Sequence, residues 1–202
     1  LAVISQNPNK MKIVYLFFIA IFISTNLYSQ IREKQTIELT GKVGKSSFRY
    51  YVSGHPSSSL NSINFGINGD YYLNKTWSIQ TGLLYQKMGG TTYSNEYEID
   101  YINIPFNMNW HFGKTKKWNL NFGIIQSFRT NNSLSQNILG ATIKNTQTAI
   151  NLGFGYRIKI NDTIGILLDY QFLSGMNNID KDELYSITNK GGNINLGTII
   201  KI

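Results

Sequence analysis

Residues 102–112 read Ile-Asn-Ile-Pro-Phe-Asn-Met-Asn-Trp-His-Phe, with a large apolar side chain at every second position and mostly Asn between. A β-strand has a side-chain period of two, so this segment has one greasy face and one amide-rich face. A helix would need apolar residues three and four apart, which the stretch lacks. The same alternation recurs near residues 37–51, 63–73, 77–88, 100–112, 118–128, 149–160, 164–173 and 194–202. Each run is close to the roughly 9–11 residues that a tilted strand uses to cross a bilayer.

The two faces differ in crowding as well as polarity. One carries residues such as Ile63, Phe65, Ile67, Leu83, Leu120, Phe122, Leu152, Phe154, Leu168, Ile194 and Leu196. The other carries Asn64, Asn68, Gln80, Asn103, Asn107, Asn121 and Asn151, interleaved with Gly66, Gly82, Gly123, Gly153, Gly155, Gly165 and Gly197. Glycine weakens an ordinary strand but makes room where strands close around a narrow interior. The polar face is therefore the inner one, and lipid lies outside. The fold class expected is all-β: an eight-stranded antiparallel up-and-down transmembrane β-barrel. Along 100–112, Ile102, Ile104, Phe106, Met108, Trp110 and Phe112 should face lipid, with Asn103, Asn107, Asn109 and His111 in the lumen. Pro105, lacking an N–H, predicts a local bulge.

Connection lengths supply a direction. The links 74–76, 113–117 and 161–163 are short, whereas 52–62, 89–99, 129–148 and 174–193 are longer. Outer-membrane barrels alternate short periplasmic turns with long extracellular loops, and an even strand number puts both ends in the periplasm. Trp77, Trp110 and Trp118 lie beside the short turns, where indole rings favour the periplasmic interface. Tyr50, Tyr51, Tyr85, Tyr93, Tyr101 and Phe172 should form the outer aromatic rim.

The start of the chain has a different character. Residues 13–23 are an unbroken apolar run, too short for the ~20 residues of a spanning helix. Lys10 and Lys12 precede it, and a more polar stretch ending at Ser29 follows. This is the layout of a signal peptide cut after Ser29, with Met11 as the expected start of translation. Residues 1–29 are thus read as an N-terminal extension plus signal peptide, and 30–202 as the barrel domain.

Composition excludes several classes of function. There is no Cys, which removes disulfides and thiolate chemistry. The net charge of +8 is scattered, Lys114, Lys116 and Lys117 being the nearest approach to a cluster, so nucleic-acid binding is not expected. Only 15% of residues are charged, and those assigned to the lumen (Glu38, Lys42, Asp70, Arg157, Lys159, Asp169 and Lys201) should pair with one another. With eight strands the interior is just wide enough for side chains to fill it.

Catalytic constellations are thin. His55-Pro56-Ser57 offers a base and a hydroxyl, but the strand that follows offers only one carboxylate, Asp70, which is expected inside the lumen. His111 reads as a lumen hydrogen-bonder. Asp180, Asp182 and Glu183 lack the spacing of a calcium loop and read as a solvated acidic patch. No phosphate-binding loop, zinc motif or dinucleotide fingerprint occurs. No catalytic, cofactor-binding or metal-ligating residue is assigned.

The signal-like start, the stretch 77–86 (Trp-Ser-Ile-Gln-Thr-Gly-Leu-Leu-Tyr-Gln), the stretch 101–105 (Tyr-Ile-Asn-Ile-Pro) and the stretch 151–156 (Asn-Leu-Gly-Phe-Gly-Tyr) together resemble small Gram-negative outer-membrane barrels of the PorT/OmpX-like type. The resemblance implies an integral outer-membrane location without cofactors. It implies contact with outer-membrane lipids and lipopolysaccharide, and with the barrel assembly machinery during biogenesis. A non-enzymatic structural or surface-binding role is the leading expectation. The alternatives are a small transporter or secretion-system accessory barrel and, behind them, a lipid A-modifying enzyme. One departure is the ending Ile200-Lys201-Ile202, where such barrels often carry a terminal aromatic residue.

Overall fold

The computed structural model describes residues 34–92, 95–130, 137–138 and 140–202. The signal-peptide reading of 1–29 and the rim assignment of Tyr93 fall outside them. Eight long strands make up the body: β1 (Ile37–Val52), β2 (Ser58–Tyr72), β3 (Trp77–Thr92), β4 (Asn95–Phe112), β5 (Trp118–Arg129), β6 (Thr146–Lys159), β7 (Ile164–Gly175) and β8 (Ile187–Lys201). Each pairs antiparallel with its sequence neighbour, and β8 pairs with β1 from Glu38↔Lys201 to Val52↔Ile187, which closes the sheet into a barrel. Among the described residues there is no helix.

The outward face of the lower two thirds is apolar and exposed, as the alternation predicts. Ile63, Phe65, Ile67, Leu83, Phe122, Leu152 and Leu196 all stand out from the wall. Along β4, Phe106 and Trp110 are exposed outward while Asn103, Asn107, Asn109 and His111 are buried. Trp77 stacks on Trp110 (6.2 Å between ring centroids), Trp110 on Phe112 (4.9 Å), and Trp118 packs against Phe154 (5.2 Å) and Tyr156 (4.5 Å). These rings form a continuous aromatic arc over β3–β6 at the rim of the short turns. Two of those turns share one device: Asn74 Oδ1 accepts from the N–H groups of Thr76 and Trp77, and Asn161 Oδ1 from those of Thr163 and Ile164. An Asn side chain that caps its own turn in this way mimics a backbone bond and fixes the reversal.

All eight strands lie where the alternation puts them, but their outer ends run further than the sequence suggests. The expected long links 52–62 and 89–99 are mostly strand. β1 runs to Val52 and β2 starts at Ser58, with His55–Pro56 folding back on Tyr51 and Val52, while β3 runs to Thr92 and β4 starts at Asn95. The cause is a phase flip. Above the lipid band Arg49, Lys87, Glu98 and Lys190 point outward while Phe48, Tyr50, Met88, Ile99, Tyr101 and Ile187 are buried inside. Water replaces lipid outside at that height, so the apolar residues change sides. Tyr50 and Tyr101 are therefore not part of an outer aromatic rim. Tyr50 donates its hydroxyl to the Met88 carbonyl within the interior.

Pro105 also behaves differently from expectation. The β3–β4 pairing skips the residues opposite Ile104 and Pro105 but resumes in the same register, so no bulge forms there. Pro105 still sits opposite Ile125 on β5, and the missing N–H only interrupts one ladder. The register shift lies instead on β2 against β3, between Ser59 and Phe65.

Candidate functional site in the lumen and at the outer mouth

The interior has three storeys. At the short-turn end Arg157 from β6 is fully buried. Its guanidinium reaches Glu38 on β1 through Nη1, Asp70 on β2 through Nη2 (3.2 Å) and the Tyr72 hydroxyl (2.8 Å). Tyr72 in turn donates to Glu38 (2.9 Å) and stacks on His111 at 4.9 Å between rings. Asp70 also accepts from Ser78 (3.1 Å), Gln80 and Asn109. His111 Nε2 meets Ser78 Oγ at 2.9 Å, the lumen hydrogen-bonding role its position predicts. One cation shared by two carboxylates, each with further donors, meets the condition under which buried charge is tolerated.

The middle storey is an amide layer. Asn64 donates to Asn195 (2.6 Å), Gln86 to Asn193 (2.6 Å), Asn103 to Gln86 (2.8 Å) and Asn151 to Asn121 (3.0 Å). The first two bonds join strands that are not neighbours in the sheet, so they run through the lumen itself. Lys42 and Asp169 form an ion pair at this level (3.6 Å), and Gln171 also donates to Asp169. The inward glycines leave room for this layer. A Cβ at Gly44, Gly82, Gly123, Gly153 or Gly155 would come within 2.7 Å of an Asn side-chain oxygen.

Lys159 and Lys201 lie outside this network, contrary to expectation. Lys159 is at the last position of β6 and pairs with Asp162 in the adjoining turn, while Lys201 is exposed at the end of β8. The lower rim is wet, so a long ammonium side chain gains more from water than from turning inward. Asp162 is fully exposed, and its hydrogen bond from Lys159 holds the carboxyl below the ordinary carboxylate range.

The upper storey is apolar, which the sequence did not suggest. Phe48, Tyr50, Met88, Ile99, Tyr101, Ile125, Leu173 and Ile187 line it from the strands. Ile138, Ala141, Ile143 and Ile179 reach it from the two longest outer loops. Those loops are stitched together across the mouth: Lys144 N–H donates to the Ile179 carbonyl (2.7 Å), Lys181 N–H to Thr142 (2.8 Å), and Ile143 bridges Asp180. They act as a lid whose underside is hydrophobic. The loop residues have no period to reveal them; the only signal is short aliphatic pieces at 138–139, 143 and 179 within long, otherwise polar links.

The chemistry-bearing residues of the sequence reading are not brought together. His55 is exposed in the first outer reversal, where Val52 pairs with it. Ser57 Oγ is held by backbone, accepting from Tyr50 N–H (3.0 Å) and donating to the Ser58 carbonyl (2.9 Å). Asp70 lies at the opposite end of the barrel with Arg157. Asp180 is buried and caps its own loop, accepting from the N–H groups of Asp182 (2.9 Å) and Tyr185 (2.8 Å). Asp182 accepts from Thr142 N–H (3.3 Å), which ties the two outer loops together. Among the described residues no group of three or more His, Asp or Glu side chains is placed to hold a metal ion.

A closed eight-stranded barrel with an apolar outer belt, an aromatic rim and a polar lower lumen is an integral outer-membrane β-barrel. The comparisons agree. The outer membrane protein beta-barrel domain family matches residues 19–198, and the chain belongs to that family. None of the curated proteins compared with the chain matches it. Among solved structures it is similar to the outer membrane protein OprG of Pseudomonas aeruginosa, with 11% identity and a TM-score of 0.54, over 87% of this chain and 99% of that one. It is similar to AlkL, determined in lipid bilayers, with 8% identity and a TM-score of 0.53, over 87% and 94%. Neisserial surface protein A matches with 10% identity and a TM-score of 0.51, over 81% and 97%. At these identities the likeness concerns the fold.

Proposed function

We propose that the protein is a closed, non-enzymatic barrel that acts through its outer surface, bracing the envelope and presenting its outer hairpins and loops to a binding partner. The observation that carries this reading is the filled interior. A hydrogen-bonded amide layer crosses the lumen, and above it the Ile138–Ile143–Ile179 lid packs on Phe48, Met88 and Ile99. A solute would have to break both layers, and the lower one consists of bonds whose loss leaves buried polar groups unpaired. The dispersed positions of His55, Ser57 and Asp70 speak for a role without covalent chemistry.

The test is electrical. Purified full-length protein in a planar bilayer should give no discrete channel steps under an applied voltage. Regular unitary currents would overturn the reading and favour the small-transporter alternative. Incubation with lipid A should also release no fatty acid, in wild type as in the H55A variant.

A further inference from the structure

The outer wall above the lipid belt carries a cationic groove between β1 and β8. Lys45, Ser47 and Arg49 follow one another outward on β1, opposite Ile194, Gly192 and Lys190 on β8. The middle row is small, so a cavity of about 520 Å³ opens there between the bulkier rows above and below it. Gly192 keeps this floor open, since a Cβ there would lie 2.7 Å from the Tyr170 hydroxyl on the groove's edge and push that ring aside. Arg49 and Lys190 are direct cross-strand partners, an arrangement of like charges that destabilises a sheet unless an anion lies between them. Lys190 Nζ stands 4.9 Å from the centre of the Tyr51 ring, which holds the ammonium over the groove.

No carboxylate among the described residues forms an ion pair with Lys45, Arg49 or Lys190. The outward cation on β3, Lys87, is neutralised by Glu98 at 2.5 Å and by Asp100 at 3.9 Å. The wall thus supplies its own counter-charge at one place and leaves it out at the other. Height decides what can fill the gap. About eight residues at ~3.3 Å each, tilted by about 40°, raise Lys45 roughly 20 Å above Ile37, and Arg49 sits roughly 30 Å up. The apolar band of such a barrel is about 25 Å tall. Lys45 and Arg49 therefore bracket the outer membrane–water boundary, where lipid phosphate groups lie.

We infer that this groove binds the phosphorylated headgroup of an outer-leaflet lipid, with Arg49 and Lys190 clamping a phosphate from above and Lys45 from below. Arg forks onto phosphate in two parallel hydrogen bonds, and each such charge-assisted contact is stronger than a neutral one. Lipid capture at this wall does not depend on whether the lumen conducts.

The test uses full-length barrel in phosphatidylcholine vesicles with and without bis-phosphorylated lipid A, read as the temperature at which heat-modifiable gel mobility is lost. Lipid A should raise the midpoint of wild type, and dephosphorylated lipid A of the same acyl chains should not. R49Q should reverse sign between the two membranes: more stable than wild type without lipid A, because a like-charge pair is relieved, and less stable with it. R49Q/K190Q should bind a fluorescent lipid A at least tenfold more weakly, R49K should recover part of the loss, and K87Q should bind as wild type does. The inference fails if dephosphorylated lipid A stabilises equally, or if the double variant keeps its affinity. Equal stabilisation by millimolar inorganic phosphate alone would mark a soluble-anion site and also overturn the lipid assignment. Should the double variant not form a barrel, the wild-type contrast between the two lipids decides the matter alone.

Discussion

Asn121 on β5 faces Gly153 on β6, and its amide oxygen lies 2.5 Å from the point where a Cβ on Gly153 would stand. That oxygen also accepts from Asn151 Nδ2 at 3.0 Å. The glycine thus holds open the space for a hydrogen bond between two other residues. Asn119 and Gly155 repeat the pairing one row away, as do Asn68 and Gly82 on another pair of strands.

Alanine at Gly153 should push the Asn121 amide aside and break its bond to Asn151. The obstructing atoms all belong to one side chain, so the loss should stay near the low end of overpacking, about 1 kcal/mol. At Gly123 the added carbon would meet the Phe106 carbonyl oxygen, which is backbone and cannot turn away. G123A should therefore destabilise by about 2–3 kcal/mol or block assembly. Urea unfolding of vesicle-inserted protein checks the order, and a G153A variant weaker than G123A would contradict it.

Replacing Arg157 with Met should be among the most damaging single changes. It leaves Glu38 and Asp70 buried without their shared cation, a loss of about 3–5 kcal/mol. The triple variant E38Q/D70N/R157M removes the uncompensated charges along with the cation. Its unfolding midpoint should recover most of the way to wild type. A triple variant no more stable than R157M would mean that the ion network is not what Arg157 stabilises.

The barrel was readable in the sequence because lipid imposes a rule on every strand at once. Phe122, Leu152 and Leu168 must face out, so a period of two marks each crossing. The rule lapses where lipid ends. At Lys45 on β1 the outward face turns polar, and from Phe48 and Tyr50 upward the apolar residues lie inside. A strand that changes phase midway looks, in one dimension, like a strand that has stopped. The outer parts of β2, β3, β4 and β8 are hidden in the sequence for that reason, and with them the inward turn of Tyr50 and Tyr101. The lid was illegible for a different reason: Ile138, Ile143 and Ile179 sit in loops, and only the meeting of two distant loops gives them a core. The groove at Lys45, Arg49 and Lys190 needed the register between the first and last strands.

A charge placed on the outer wall should report where lipid begins. Phe122 is four residues above the Trp118 rim, about 10 Å up and near the middle of the apolar band. F122R should cost about 2–4 kcal/mol in vesicles, whereas N61R, at an exposed position above the belt, should cost no more than ~1 kcal/mol. Urea midpoints measured side by side in the same vesicles give the comparison. Equal costs would mean that the belt is placed wrongly along the strands.

The lid should come away without the barrel. Ile143 is buried in the upper cluster and bridges Asp180, so Asp at 143 sets two carboxylates side by side in an apolar setting. Burying an unpaired charge costs more than the few loop contacts can offset, and the loops should detach. Protease cleavage within 140–145 and 176–186 should rise at least tenfold in I143D, equivalent to about 1.4 kcal/mol of lost closure. Heat-modifiable mobility should stay as in wild type, since the wall ladders do not involve Ile143. The variant should still pass no current, because the amide layer below, with Gln86 bonded to Asn193 across two intervening strands and Asn64 to Asn195 over Gly44, stays in place. Channel steps appearing in I143D alone would show the lid to be the sole barrier and the amide layer to be permeable.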